Sequence, residues 1–233
     1  MDKVYRNTAI LIVFILLGVQ WGFYQHYTSQ FPNFKDKTNV IHLHGAFLMC
    51  WMLLLIIQPI LIATGRNKLH KTIGKVSWVL GPLVILTLYL IGKGSFIRHS
   101  GEAPEKDLLA DIVLDSRGFV SFAIFWALAM INRKNSASHM RYMIATGILA
   151  IGPGIGRGLI NSFNMDFGLA LTITDSIALV IVAILLGYDY MKKRNLKPFL
   201  VVFLVLLFGA FLWQIRNTDG WQHFAKKYAE LMY

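Results

Sequence analysis

Long apolar runs separated by short polar segments repeat along the whole chain of 233 residues. A helix needs about 20 predominantly apolar residues to cross the hydrocarbon core of a membrane. Seven runs predict such helices, over residues 8–25, 41–63, 74–92, 117–132, 142–161, 168–190 and 198–215. The fourth is short, and we expect Gly152, Pro153, Gly154 and Gly156 to kink or end the fifth. The pattern predicts an all-α protein, a seven-transmembrane-helix bundle that forms one integral membrane domain over residues 1–233.

Composition supports this fold class. The chain is 56% hydrophobic and 15% charged, with a mean hydropathy of +0.54. Soluble domains are about 45–50% apolar and about 25% charged. The only cysteine, Cys50, cannot form an internal disulfide, so the fold does not depend on the redox compartment.

The tail at residues 217–233 has a pattern of its own. Apolar residues recur there at helical spacing, and they lie opposite polar ones: Trp221, Phe224, Tyr228 and Leu231 against His223, Lys226, Lys227 and Glu230. This spacing predicts a short amphipathic helix on the outer membrane surface. A helix that binds a partner protein is the alternative.

The formal net charge is +11, but most of the charge flanks membrane spans, so we do not expect nucleic acid as a partner. Flanking Lys and Arg orient membrane proteins and contact anionic lipid. Thirteen of the 23 basic residues lie on the N-terminus and on the second, fourth and sixth loops: Lys3, Arg6, Arg66, Lys68, Lys71, Lys75, Arg133, Lys134, Arg141, Lys192, Lys193, Arg194 and Lys197. Basic loops stay in the cytoplasm. We therefore expect a multi-pass membrane protein with a cytoplasmic N-terminus and the C-terminus outside.

Ionisable residues inside a span are costly and suggest function. Several fall at one outer level: His42, His44, Asp111, Asp115, Arg157, Asn161 and Asp175. In one interpretation they form a buried polar network in which Arg157 and Asp175 neutralise each other. In another, His44, His42 and Asp175 bind zinc or iron. His44 is the better candidate of the two histidines, because residues two apart do not share a helical face. In the third, Arg157 holds an anionic substrate, and Asp115 or Asp175 accepts a proton.

A second polar set lies at the inner level. Residues 66–74 and 133–143 each have a basic turn, a histidine, another basic residue and then a new span. This similarity indicates a possible internal duplication of spans 2–3 and 4–5, as in many transporters and membrane cytochromes. The duplication would bring His70 and His139 to the same depth, where they could ligate haem iron or contact a quinone. The alternative is that both are ordinary interfacial anchors for lipid phosphate.

The polar residues of the first half occur in an order that carries a resemblance. The order is His44, Gln58, Arg66, His70-Lys71-x-x-Gly74, His139-x-Arg141-x-Met143 and Arg157. It resembles a large family of bacterial integral membrane proteins that is defined only as a domain of unknown function. The match covers roughly residues 40–160; it departs from the family at Lys71, where Arg is usual, and at Met140, which separates His139 from Arg141. The resemblance implies a multi-pass protein of the bacterial inner (cytoplasmic) membrane. It also implies importance for His44, His70, His139 and Arg157, and it supplies no activity.

The segment from His44 to Trp51, with Arg66 after it, is also similar to the start of the haem-binding core in ascorbate-reducible b-type di-haem cytochromes. That resemblance implies four haem-ligating histidines, in pairs near opposite faces. His70 and His139 would be the inner pair, and His44 would need an outer partner from among His26, His42 and His99. The chain has no Cys-x-x-Cys-His motif, so c-type attachment is excluded.

Three functions are compatible with these residues. The first is electron transfer by a b-type haem protein, with His44, His70 and His139 as cofactor-binding residues and a quinone or another redox protein as partner. The second is a metal-dependent enzyme, a hydrolase or oxidase of lipid-like substrates, with a site formed by His44, Asp115, Asp175 and Arg157. The third is a transporter, sensor or assembly factor that uses Arg157 and Asp175 as a clamp. Membrane lipid is a partner in all three.

Overall fold

The computed structural model describes residues 3–35 and 37–233. Within these ranges there is no β-strand, and ten α-helices follow one another: α1 Lys3–Phe23, α2 Asn39–Ala63, α3 Asn67–Gly74, α4 Ser77–His99, α5 Glu105–Ile131, α6 Ser136–Ile148, α7 Ile151–Phe163, α8 Phe167–Met191, α9 Lys197–Ile215 and α10 Asp219–Met232. Seven helical segments are long and apolar enough to cross a membrane, namely α1, α2, α4, α5, α6 together with α7, α8 and α9. The predicted all-α bundle of seven spanning helices is confirmed.

Two boundaries differ from the sequence-based expectation. The fourth span is not short, because α5 runs for 27 residues from Glu105. The fifth span is broken: α6 ends at Ile148 and α7 begins at Ile151. Pro153 explains this break, because its ring would clash with the carbonyl of residue 149, four positions earlier, in a continuous helix. The break therefore lies immediately before the predicted glycine and proline cluster, which begins at Gly152.

The helices pack around a main apolar core, and a smaller buried apolar cluster joins α5, α8, α9 and α10. α1 packs against α2 and α7, α4 lies between α2 and α5, and α8 contacts α7 and α9. Trp51, Phe125, Val84, Val182 and Val202 are among the fully buried side chains. We call the end that holds Lys3, α3 and the α5–α6 and α8–α9 connections the N-terminal face. The opposite end is the C-terminal face.

α1 and α7 approach each other closely through glycine. A Cβ atom added at Gly22 would collide with the backbone carbonyl of Gly154, and one added at Gly158 would collide with the Trp21 ring. Gly154 and Gly158 are four residues apart and share a face of α7. Small residues at this spacing let the backbones of membrane helices come into contact.

The predicted amphipathic tail helix is present as α10, but it packs partly on protein. The Trp221 side chain is only 7% exposed, and its Nε1 donates to the carbonyl of Leu109 on α5 at 3.0 Å. Phe224 and Leu231 are 54% and 84% exposed on the rest of the helix surface. The apolar residues of the tail therefore divide between a face that contacts α5 and a face that stays open.

His70 and His139 have the same local position after their turns. Each is the fourth residue of its helix, and each donates its backbone N–H to the carbonyl of the residue before that helix, Arg66 at 3.0 Å and Asn135 at 2.9 Å. The two units then differ, because α3 is a separate helix of eight residues, whereas α6 continues directly into the span. Duplication of the whole units stays a prediction.

Candidate functional site

His70 lies at the N-terminal face on α3, and Gln58 of α2 fixes its ring. The backbone N–H of Gly74 lies 3.1 Å from one end of the Gln58 amide, and the carbonyl of His70 lies 3.2 Å from the other end. These two backbone groups orient the amide, because an N–H can only donate and a carbonyl can only accept. The NH₂ of Gln58 therefore also donates to Nδ1 of His70. In the neutral ring the proton is then on Nε2.

His139, on the first turn of α6, is held in the opposite tautomer. Its Nδ1 lies 2.9 Å from the backbone carbonyl of Ala129 in the last turn of α5. Since a carbonyl only accepts, Nδ1 carries the proton, and Nε2 keeps its lone pair. Proteins orient a histidine that acts as a metal ligand or a base in this way, through a hydrogen bond from Nδ1–H to a carbonyl.

The two rings are close enough to influence each other. Partial burial lowers the pKa of His70, and the positive charges of His139 and Lys71 lower it further. Both side chains are half-buried. Among the described residues Nε2 of His139 has no hydrogen-bond partner, whereas the ring of His70 also has a hydrogen bond with the backbone of Gln58. His70 thus offers an N–H donor and His139 offers an acceptor at the same face. His44 does not join this pair, because it lies near the start of α2, towards the C-terminal face.

An ion pair that the sequence reasoning did not identify also lies near this face. Arg141 of α6 donates to both carboxylate oxygens of Asp189 on α8, from Nε at 2.5 Å and from Nη2 at 2.6 Å. Its Nη1 donates to the carbonyl of Ala137 at 2.7 Å, and its guanidinium lies over the Phe199 ring. Both side chains are buried. The sequence does contain a clue to this pair, because Asp189 and Asp2 are the two acidic residues on the side of the basic loops. Asp2 lies outside the described residues.

The expected pairing of Arg157 with Asp175 is wrong. Asp175 instead accepts two hydrogen bonds from Arg117 of α5, at 2.8 and 2.9 Å. Arg117 also donates to the carbonyl of Gly209 on α9 at 3.4 Å, so the pair joins three spans. Arg157 lies against the Phe23 ring, with 5.0 Å between the guanidinium carbon and the ring centroid. A carboxylate already neutralised by Arg117 is not available to clamp a ligand with Arg157.

His44 and His42 are directed to different neighbours. Nδ1 of His44 lies 3.1 Å from the Thr87 hydroxyl on α4, whose own proton is donated to the carbonyl of Val84. Nδ1 of His44 is therefore the donor, and its Nε2 keeps a lone pair. Nδ1 of His42 lies 2.8 Å from the Tyr27 hydroxyl in the first loop. This divergence is expected for residues two apart on a helix.

The residues considered for metal binding and catalysis do not converge. Among the described residues, no group of three or more His, Cys, Asp or Glu side chains is placed to hold a metal ion. His42, His44 and Asp175 have the three separate partners named above. Asp115 packs against Gly92 and, with Asp111 and His99, lines a cavity of about 20 Å³ between α4 and α5. That volume has room for about one water molecule.

Comparisons of the chain with models of protein families, with curated proteins and with solved structures find no match.

Proposed function

We propose that the protein is a membrane redox protein that binds the head group of a quinone-type carrier between His70 and His139. The observation that supports this proposal is the pair of opposite tautomers at one face. A quinone oxygen accepts a hydrogen bond, which Nε2–H of His70 can donate. A quinol hydroxyl donates one, which Nε2 of His139 can accept. The same two rings therefore suit both redox states of such a carrier.

The surroundings favour a neutral or anionic ligand that arrives from the membrane. Among the described residues of the N-terminal face, Asp189 is the single carboxylate, and Arg141 neutralises it. The lowered pKa of His70 favours the neutral form of the ring, in which the donor is an uncharged imidazole. α3 connects the spans α2 and α4, and a carrier dissolved in the bilayer would meet the protein beside it.

A b-type haem is the second candidate, and His139 and His44 favour it. Each has its Nδ1–H engaged and its Nε2 lone pair open, as an axial ligand requires. His70 does not fit this role in the observed tautomer, because Nδ1 accepts from Gln58 and Nε2 is protonated. A haem at this face would therefore take His139 as ligand, and His70 would be a hydrogen-bond donor beside it.

One preparation tests both candidates. The protein is purified in a mild detergent, its visible spectrum is recorded, and binding of the short-chain benzoquinone decylubiquinone is measured by equilibrium dialysis. His70→Ala and His139→Ala should each weaken quinone binding by about tenfold, the cost of one lost hydrogen bond to a buried partner. His223→Ala, an exposed histidine on α10, is the matched control.

The outcomes are distinct. Weaker binding in both site variants with an unchanged control supports the quinone site. A Soret band that disappears in His139→Ala and survives in His70→Ala supports haem at His139. Equal quinone binding by all four proteins, together with a spectrum that has no visible absorption, rejects both candidates.

A further inference from the structure

Arg157 differs from the two other arginines that lie well inside the spans. Arg117 and Arg141 each hold a carboxylate through two hydrogen bonds. Arg157 has no ion pair and no hydrogen bond to any residue that the structure describes, and its contact is with the face of Phe23. A guanidinium inside the membrane without a counter-charge costs several kcal/mol. A partner from outside the chain could supply the missing counter-charge.

The side chain of Arg157 can reach the lipid headgroups of the C-terminal face. Arg157 lies six residues before the end of α7 at Phe163, which is about 9 Å at 1.5 Å per residue. It is exposed on the helix surface, and a long arginine side chain extends its charge towards the interface. Phe23, which it contacts, is the last residue of α1 and so marks the level of that interface.

Further polar groups lie one helical turn beyond Arg157. Asn161 donates from Nδ2 to the carbonyl of Gly22 at 3.3 Å, which leaves its Oδ1 to accept from Nε2 of His26 at 3.0 Å. In the neutral His26 ring, Nδ1 is then an open acceptor. Asn161 also borders an open cleft of about 440 Å³ between the ends of α1 and α7. The cleft is lined by aromatic, amide and hydroxyl side chains and by no charged one: Gln20, Trp21, Tyr24, Gln25, Asn161 and Ser162.

We infer that Arg157 binds the phosphate of an anionic phospholipid and that the cleft beside Asn161 receives a hydroxyl-bearing headgroup. The planar fork of a guanidinium matches two phosphate oxygens. The uncharged amides of Gln20 and Gln25 suit hydroxyl groups, whereas a cationic headgroup would find no carboxylate in this lining. Phosphatidylglycerol has both features, a phosphate diester and a neutral glycerol headgroup. This site lies at the C-terminal face and is independent of the His70–His139 pair.

The test measures lipid binding directly. Protein stripped of lipid in a nonionic detergent is titrated with dioctanoyl phosphatidylglycerol, dioctanoyl phosphatidylcholine or inorganic phosphate, and the apparent affinity is obtained from the shift in melting temperature. Arg157→Gln should weaken phosphatidylglycerol binding by about tenfold. Arg98→Gln is the matched control, because Arg98 is an exposed arginine near the same face, in the last turn of α4.

Each arm decides a separate part of the inference. A tenfold loss in Arg157→Gln, an unchanged Arg98→Gln and weaker binding of phosphatidylcholine support the site. Equal affinities of wild type and Arg157→Gln overturn it. Inorganic phosphate that competes at the same concentration as the lipid overturns the lipid as source, since the guanidinium would then hold a free anion. If Arg157→Gln does not fold, Gln20→Leu with Gln25→Leu tests the headgroup cleft, and unchanged selectivity in that variant overturns the assignment.

Discussion

Arg141, near the start of α6, and Asp189, near the end of α8, face each other at the N-terminal face and share two short hydrogen bonds, at 2.5 and 2.6 Å. The side-chain exposures are 4% and 2%, so neither charge is solvated. Asp175 lies fourteen residues before Asp189 on α8, and it is held in the same way by Arg117. Fourteen residues are almost four helical turns, so both carboxylates lie on nearly the same side of α8. α8 is thus fixed near both membrane faces by two-point ion pairs.

The buried pair gives the first prediction. Asp189→Asn leaves the Arg141 guanidinium buried without a counter-charge, and we expect a loss of about 3–5 kcal/mol in unfolding free energy. Arg194→Gln is the matched control, because Arg194 approaches the same carboxylate from an exposed position at 3.9 Å. It should change the stability by less than about 1 kcal/mol. Chemical unfolding in detergent measures both, and similar small effects of the two variants would contradict the structural role of the pair.

A double-mutant cycle distinguishes the observed partner of Asp175 from the one that the sequence suggested. Arg117→Gln combined with Asp175→Asn should show a coupling of at least about 1.5 kcal/mol, because the two side chains share two hydrogen bonds. Arg157→Gln combined with Asp175→Asn should be additive to within about 0.5 kcal/mol. Unfolding free energies of the six proteins, wild type included, provide both cycles. A larger coupling through Arg157 than through Arg117 would reject the assignment.

The spans were predictable because hydropathy is a local property, read from about twenty consecutive residues at a time. The first three turns of α5, before residue 117, were missed because Asp107, Asp111 and Asp115 interrupt the apolar pattern. Arg117 is tolerated there because Asp175, 58 positions further along the chain, neutralises it, and no local pattern reveals such a partner. Pairing between spans depends on how the helices rotate about their axes, which is why Arg157 was assigned the wrong carboxylate.

The sequence could predict that the two histidines of the candidate site share a face, and the reason is topological. Two spans separate His70 from His139, so the helix count alone assigns them to one face. The histidines could therefore be grouped, but their tautomers could not. Those depend on Gln58 and on the carbonyl of Ala129, which approach the rings only after the helices pack.

The glycine contact between α1 and α7 gives a packing prediction. Gly22→Ala places a methyl group against the backbone carbonyl of Gly154, which cannot rotate away as a side chain would. We expect a loss of about 2 kcal/mol in unfolding free energy, the usual cost of forced overpacking. Gly118→Ala on α5 is the control, since no atom lies within 4 Å of the added Cβ. It should leave stability unchanged or raise it by up to about 1 kcal/mol through helix propensity. Equal effects of the two substitutions would mean that α1 and α7 do not touch at Gly22.

The lowered pKa of His70 predicts how stability depends on pH. Burial is the main cause, followed by the charge of His139; a hydrogen bond between the ring and the backbone of Gln58 acts in the opposite direction. In the unfolded chain a histidine titrates near pH 6.5, so between that pH and the lower pKa of the folded state the unfolded chain binds a proton that the folded protein does not. The contribution of His70 to stability is therefore complete above about pH 6.5 and declines as the pH falls.

Melting temperatures at pH 7.5 and pH 5.5 measure this effect. Wild type should lose more stability over this interval than His70→Gln, in which the titrating group is replaced by a neutral amide. His223→Gln, at an exposed position on α10, should behave like wild type. If His70→Gln and wild type lose the same amount, His70 is not shielded from protons in the folded protein. The neutral donor that the quinone site depends on would then be absent at mildly acid pH.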